Sequence, residues 1–518
     1  MKTIRNFLLL LIFLTGCNED KLLLENPNAY SEEEYFTNAE QCVQAVNAAY
    51  AGFYFQGLFA REYYFIFDLL GNEAEQAPPL QGALSEFANY TYGPANEHIN
   101  RLWRSYYRII LRANLVFDKV GKWVPSTEHD QYLRERLLGE AAFLRAWSYF
   151  ELVTLFGRVP VKDSWEDRYE FTSPRADSTG QVWKLVEKDL LQAIESLPVS
   201  YDNYDIGRAT SGAALALLGK MHLFRHNWEE AADAFSALLN SPYKYELISD
   251  FEENFLSVNE NNEESVFEVQ LEFLTGSPTF YMFGGQEFWG ANGTHSARAM
   301  EYGWNDWQNV FISEAAVNAF TYNDETGLPY IDPRASMTFY GPASRGGDTD
   351  YCNNCANGAL PYPYDLSGLR WKKYNDYENK EKEGLPEGSI NARLIRFADV
   401  LLMHAEALIE LNLPDEALPL INQVRERSGA FLYSTLGTQE NARFLLRRER
   451  QLELCGEQHR FFDLIRWGIA METINNEKSA ENTEWGNRFR PKHILLPIPQ
   501  TEKDLNPNVA EDVADDWN

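Results

Sequence analysis

An all-α fold, a scaffold of paired helices broken by one loop-rich, partly β insertion, is what this chain of 518 residues predicts. Three observations point there. Apolar residues recur at helical spacing in long segments up to residue 242 and again after 393. Two of those segments, roughly 190 residues apart, carry the same order of small and large residues. Between 243 and 392 the helical period is lost, and Gly, Asn, Pro and aromatic residues take over.

The N-terminus, MKTIRNFLLLLIFLTGCNED, comes first in chain order. Lys2 and Arg5 precede eight apolar residues, Phe7 to Leu14. Crossing a bilayer takes about 20 such residues, so this run reads as the basic and hydrophobic parts of an export signal. Its end, Leu14-Thr15-Gly16-Cys17, resembles a bacterial lipobox, whose cysteine is acylated and becomes the mature N-terminus. Acyl chains on Cys17 would hold a water-soluble body at a membrane surface, since each buried methylene contributes about 0.8 kcal/mol. Residues 1–17 are therefore read as signal and lipobox, and the polar stretch 18–38 as a tether.

Helical scaffold is expected over 39–242. "NAEQCVQAVNAAYAGF" sets Cys42, Val43, Val46, Ala49 and Tyr50 on one apolar face. Similar periodicity runs through 98–120, 130–156 and 179–196. In "AALALLGKMHLFRHNWEEAADAFSALLNSP" (213–242), Leu215, Leu218, Gly219, Trp228, Ala231 and Phe235 fall where the 34-residue tetratricopeptide pattern wants them, with Pro242 one residue early. "DVLLMHAEALIELNLPDEALPLINQVRERSG" (399–429) repeats those spacings with Leu401, Ala405, Leu408, Ala417 and Ile421. It opens the C-terminal part, 393–518. The intervening 243–392 holds short β-prone pieces such as "SVFEVQLEF" and a helical period only around 311–322. A stretch this long with little regular structure usually carries function.

Composition narrows the function. Against 77 Asp and Glu stand 46 Lys and Arg, a net charge of −31, so the clustered cations that bind nucleic acid are missing. The same imbalance speaks against a polybasic lipid-binding face. Of five cysteines, Cys42 and Cys455 sit in helical contexts, while Cys352 and Cys355 form "CNNC" in a loop. That pair reads as a local disulfide or two free thiols. No second C-x-x-C accompanies it as a zinc ribbon would require.

Four stretches in fixed order carry a family likeness: "LLGEAAFLRAWSYFELVTLFGRVP" (137–160), "ARLIRFADVLLMHAEALIEL" (392–411), "RRERQLELCGEQHRFFDLIRWG" (447–468) and "HILLPIPQTEKDLNPN" (493–508). With the lipobox and "AFTYNDETGLPYIDPRA" (319–335), the chain resembles the SusD/RagB family of outer-membrane nutrient-binding lipoproteins over nearly its whole length. The resemblance implies four tetratricopeptide-type helical pairs, a variable face that binds oligosaccharide, and a place over a SusC-like TonB-dependent transporter. It brings no catalytic residue; from the residues themselves no cofactor and no metal ligand set is expected. This chain departs from the family in having Glu457-Gln458-His459-Arg460 where Glu-Gly-His-Arg is usual, and in ending on an acidic tail that lacks Asn-Pro-Gly.

Within the insertion, "PTFYMFGGQEFWGANGTHSARAMEYGWNDWQNV" supplies Phe280, Tyr281, Phe283, Phe288, Trp289, Tyr302, Trp304 and Trp307. Sugar rings present slightly positive C–H groups that lie well on electron-rich aromatic faces, while Asn, Asp and Glu at a rim read hydroxyls. Trp289, Trp304 and Tyr281 are the expected stacking platforms, with Asn292, Asn305 and Asp306 as hydroxyl partners. "FDLLGNEAEQ" (67–76) offers Asp68, Asn72 and Glu75 to the same rim, and Tyr362 and Tyr364 offer a wall. The competing reading is that these rings fill a small core of the insertion.

Two other motifs read as structure. The acids of 447–468 each have a cation three or four residues away, which on a helix makes side-by-side ion pairs and keeps carboxylates ionised rather than proton-donating. His222 and His226 lie one helical turn apart but lack a third ligand at diagnostic spacing. Rival functions are an α-helical glycoside hydrolase, for which Glu287, Glu301 and Asp306 are the available acids, and a peptide-binding repeat protein.

Overall fold

The computed structural model describes residues 35–76, 82–202, 204–272, 294–302, 309–351, 360–361, 368–374 and 388–509. Among them helices dominate, as the sequence predicts. In order, α1 (Ala39–Tyr50), α2 (Glu62–Leu70), α3 (Gly82–Asn89), α4 (Glu97–Lys122), α5 (Glu128–Phe156), α6 (Thr179–Ser196), α7 (Ser211–Phe224) and α8 (Trp228–Leu238) form the N-terminal part. Then come the short α9 (Arg298–Tyr302), α10 (Glu314–Ala319) and α11 (Ala335–Thr338). The C-terminal part holds α12 (Phe397–Glu410), α13 (Pro414–Arg427), α14 (Gln439–Glu453), α15 (Arg460–Arg466), α16 (Ala470–Glu481) and α17 (Gln500–Leu505).

Capping residues start the long helices where orphan N–H groups need acceptors. The side chain of Asn96 accepts from His98 and Ile99, that of Thr127 from Asp130, and that of Thr210 from Ala213. Each helix packs against the next in the series α4, α5, α6, α7 and α8, and α8 then packs on α12 across the intervening chain. The second half of α5 and nearly all of α12 are buried all round, as expected of helices enclosed by neighbours. The small residues of the repeat act as anticipated: a Cβ on Gly219 would lie 2.6 Å from the Phe235 ring, so glycine there lets α7 and α8 close up. His222 is buried in this pair with Nδ1 3.3 Å from the Asn227 amide, and burial lowers its basicity.

The insertion is pinned by two-stranded antiparallel ladders. They pair β1 (Ala74–Gln76) with β3 (Val310–Ile312), β2 (Ser265–Val269) with β10 (Ala392–Arg396), and β4 (Thr321–Asn323) with β5 (Pro329–Ile331). Two further ladders join β6 (Phe339–Tyr340) to β9 (Arg370–Trp371) and β7 (Asp350–Tyr351) to β8 (Leu360–Pro361). Phe267 of β2 sets its ring edge-on to Phe143 of α5 at 4.9 Å, fastening the ladder to the helical core. The C-terminal part thus opens with a strand ahead of its helical pair.

Under the insertion lies a buried lattice of charges. Arg334 binds Asp332 (2.8 Å), Glu449 (2.6 Å) and Glu453 (3.1 Å). Arg396 binds Glu457 (2.7 Å), Glu453 (3.0 Å) and Glu264. Arg425 meets Glu449 at 2.6 Å, Arg427 meets Glu264 at 2.8 Å, and Lys373 meets Glu457 at 2.9 Å. These residues are nearly sealed from solvent. The reading of residues 447–468 is right that they are structural but wrong about their partners. Within that stretch only Asp463 and Arg466 pair at helical spacing among the described residues; the other acids reach cations far away in sequence. Burial alone would raise Glu457, yet Arg396 and Lys373 hold it down to about 2.

The departure at Gln458 has a visible cost and compensation. Its φ is +63°, the left-handed region where the family's usual glycine would be unstrained. The Gln458 amide donates to buried Asp68 at 2.9 and 3.0 Å. Gln458→Gly should relieve about 1 kcal/mol of backbone strain but remove a donor to a carboxylate that burial already pushes upward. We expect the lost hydrogen bond to outweigh the relieved strain by about 1 kcal/mol where Asp68 is ionised, and the difference to shrink as acid protonates it, measured by urea denaturation across pH.

Candidate functional site

The site is built outward from the end of α2. This helix buries every residue from Glu62 to Leu70, then turns at Asn72, whose φ of +57° redirects the chain into β1. Asp68 and Asn72, expected at a rim, lie inside the fold. Asp68 accepts from Tyr302 Oη (2.6 Å) and from Gln458, while the Asn72 amide donates to Glu477 at 3.0 Å. They fix the frame and cannot touch a ligand at the surface. Glu75, two residues into β1, is half-exposed and lines a groove.

Pairing with β3 places Glu75 opposite Phe311 and Gln76 opposite Val310. Val310 follows closely on residues 303–308, the segment that contains Trp304, Asn305 and Asp306. Those three, with Trp289, Tyr281, Asn292, Tyr362, Tyr364, Glu287, Cys17, Cys352 and Cys355, lie outside the described residues. Their flanks do not. Asn309 N donates to Glu301 O at 2.9 Å, closing the base of 303–308. Glu272 N donates to Thr294 O at 2.9 Å, closing the base of 273–293. Ser296 and Gly388 exchange backbone hydrogen bonds of 2.9 and 2.7 Å, which brings the end of 375–387 beside that same base. The ends of the aromatic-bearing segments are therefore gathered on one frame.

Beside Glu75 opens a groove of about 670 Å³, walled by β1, the end of α3, α10 and the end of α16. Glu75, Gln76, Asn89, Asn318 and Glu481 line it, and Trp485 forms part of its wall. Ala315 N donates to Glu481 at 2.9 Å, and Arg345 bridges Glu314 (2.8 Å) to Asn318 (2.9 Å). Burial raises the Glu481 carboxyl, Lys478 opposes this, and a hydrogen bond shared with Glu75 brings it to about 7. Deeper in, burial pushes Glu73 up to about 8, with Asp68 adding to it and Arg460 opposing, while Glu73 accepts from Gly456 N at 3.0 Å. The lining offers carboxylate groups from Glu75 and Glu481 and amide groups from Gln76, Asn89 and Asn318.

Two other sequence candidates resolve. Tyr302, the member of the aromatic series within the described residues, is buried and serves Asp68. Glu301, proposed as a hydrolase acid, is 1% exposed and paired with Arg61 at 2.6 Å. Among the described residues no group of three or more His, Cys, Asp or Glu is arranged to hold a metal ion, and no helix is long and apolar enough to cross a membrane. The groove residues of α10 and α16 are missed by sequence reasoning because nothing in their local pattern says that β1 folds against them.

Stacked helical hairpins with a polar groove at the end of β1, part-walled by Trp485, define a scaffold of the helical-repeat class. A family model described as "SusD family" matches residues 284–513, and one described as "starch-binding associating with outer membrane" matches residues 30–223. The chain belongs to the SusD/RagB family. SusD-like protein P25 of Formosa agariphila is 26% identical over 545 residues, covering 99% of this chain and 98% of its own. A SusD superfamily protein from Bacteroides vulgatus superposes with a TM-score of 0.74 at 25% identity, over 92% of this chain and 98% of that one. A structure described as a laminarin binding SusD-like protein shares the fold at a TM-score of 0.74 and 24% identity, over 91% of this chain and 98% of that one.

Proposed function

We propose that this protein is a non-catalytic lipoprotein of the outer membrane that binds neutral oligo- or polysaccharide at the cell surface and passes it to a SusC-like TonB-dependent transporter. In this reading Cys17 carries the lipid, and Trp289, Trp304 and Tyr281 stack sugar rings. Asn292, Asn305, Asp306, Glu75 and Tyr362 complete the site. The observation that carries the proposal is the pairing of Gln76 with Val310, which sets an acidic and amide-lined groove at the root of the segment bearing Trp304. Laminarin binding by one structural neighbour and the starch-binding description of the N-terminal family model support a neutral glucan-like ligand. The carboxylates of the groove would repel a polyanion.

Affinity electrophoresis through gels containing starch, laminarin or inulin tests this. Wild type should be retarded in at least one gel. Trp289→Ala or Trp304→Ala should lose about 1 kcal/mol or more there, a fivefold or greater drop in affinity. Failure of every polysaccharide to retard wild type would remove the glycan reading.

A further inference from the structure

A second groove, of about 300 Å³, lies on the N-terminal scaffold and shares no lining residue with the groove beside Glu75. Its walls are the end of α1 with the turn that follows it, the loop 204–208, and β2. Tyr54 is half-exposed on one side, and Tyr204, on the loop, is 98% exposed. A lone exposed tyrosine on a mobile loop needs no explanation, but this loop is held from several sides. Asp205 is gripped by Arg208 (2.6 Å) and Arg136 (2.7 Å), and Arg208 also reaches Glu140 (2.9 Å) and Asn47 Oδ1 (2.8 Å). Gly207, at φ +91°, rests so close to Gln270 that a Cβ would meet its side chain at 2.3 Å. The fold thus spends several ion pairs on presenting one flat ring to water beside a cleft.

We propose that this groove is a second carbohydrate subsite, which takes a neutral stretch of the same polymer on Tyr54 and Tyr204; the inference rests on the glycan reading above. Three observations select the ligand. Two tyrosines edge a concave surface that also offers the polar side chains of Asn47 and Gln270, the mixture of ring face and amide that suits a sugar. The cation in the lining, Arg208, is already neutralised by Glu140 and Asp205, and Glu268 is buried and paired with Arg393 at 3.2 Å, so the lining leaves no uncompensated cation to attract a sulfated or uronic polymer. The Tyr54 phenol also feels the charge of Glu272, the residue whose backbone closes the base of segment 273–293. The groove therefore begins near the root of the loop that bears Tyr281 and Trp289. Two subsites on one rigid body would favour long chains over short ones, because the second contact is intramolecular once the first has formed.

The test compares wild type, Tyr204→Ala, Tyr54→Ala/Tyr204→Ala and Trp289→Ala/Trp304→Ala on whichever of starch, laminarin or inulin retards wild type. Each is measured as the full polymer in affinity gels and as its tetrasaccharide by calorimetry. Tyr204→Ala, wholly on the surface, guards against misfolding, and thermal melts should match wild type. Removing the tyrosines should weaken polymer binding about threefold or more while leaving tetrasaccharide affinity unchanged, and the tryptophan variant should keep residual polymer binding. If polymer affinity survives loss of both tyrosines while wild type is retarded, this subsite is wrong and the main site stands. If no polymer retards wild type, both readings fall together.

Discussion

Arg396→Met is expected to destabilise the protein by about 3–5 kcal/mol, read as a fall in the urea midpoint. Arg396 sits among Glu264, Glu453 and Glu457 with almost no solvent contact. The surrounding lattice balances five carboxylates (Glu264, Asp332, Glu449, Glu453, Glu457) against five cations (Arg334, Lys373, Arg396, Arg425, Arg427). Removing one cation leaves a net buried negative charge that neither water nor a neighbour can neutralise. Replacing a whole buried pair by apolar groups is often tolerated, but breaking one is not. Arg443→Ala, which loses a partly exposed pair with Glu410, should cost less than about 1 kcal/mol. Equal effects from the two variants would show that the lattice is solvated and contributes little.

Glu73→Gln is expected to do the opposite, stabilising the protein at high pH. Burial, with Asp68 beside it, raises the Glu73 carboxyl from 4.5 to about 8. Below pH 4.5 the group is protonated both folded and unfolded and adds no penalty. As pH rises from 4.5 to 8 the unfolded chain gives up the proton more readily than the folded one, so stability is lost across that window and levels off above it. Glutamine carries no charge and still offers an oxygen to Gly456 N. The variant should therefore match wild type near pH 4 and exceed it by on the order of 5 kcal/mol at pH 9, or roughly 5 °C in melting temperature for a chain this long. A difference that does not change with pH would mean that Glu73 ionises normally.

How much of this was readable beforehand depends on how far apart the interacting residues lie in the chain. The helices over 98–120, 130–156 and 179–196 and the two hairpins near 213–242 and 399–429 appear within about four residues of their expected bounds, because a 3.6-residue period is written locally. The strand 392–396 is not, since its partner, Ser265–Val269, lies more than 120 residues earlier in the chain. Asp68 and Asn72 look like rim residues because "FDLLGNEAEQ" turns polar after an apolar run. Their polar partners, Gln458 and Glu477, come some 400 residues later, and no local pattern reveals that a loop from the far end of the chain covers them. Glu75, three residues past Asn72, escapes that cover and is the part of the stretch that faces outward.

The closed bases of the insertion's loops bear on how such receptors diversify. Glu272 meets Thr294 and Glu301 meets Asn309, so the chain on either side of 273–293 and of 303–308 is joined at one point of the scaffold. Doubling the length of a loop whose ends are already joined costs only about 0.6 kcal/mol. New sugar preferences can thus arise by exchanging whole loops, with the ion-paired foundation unaware of the change.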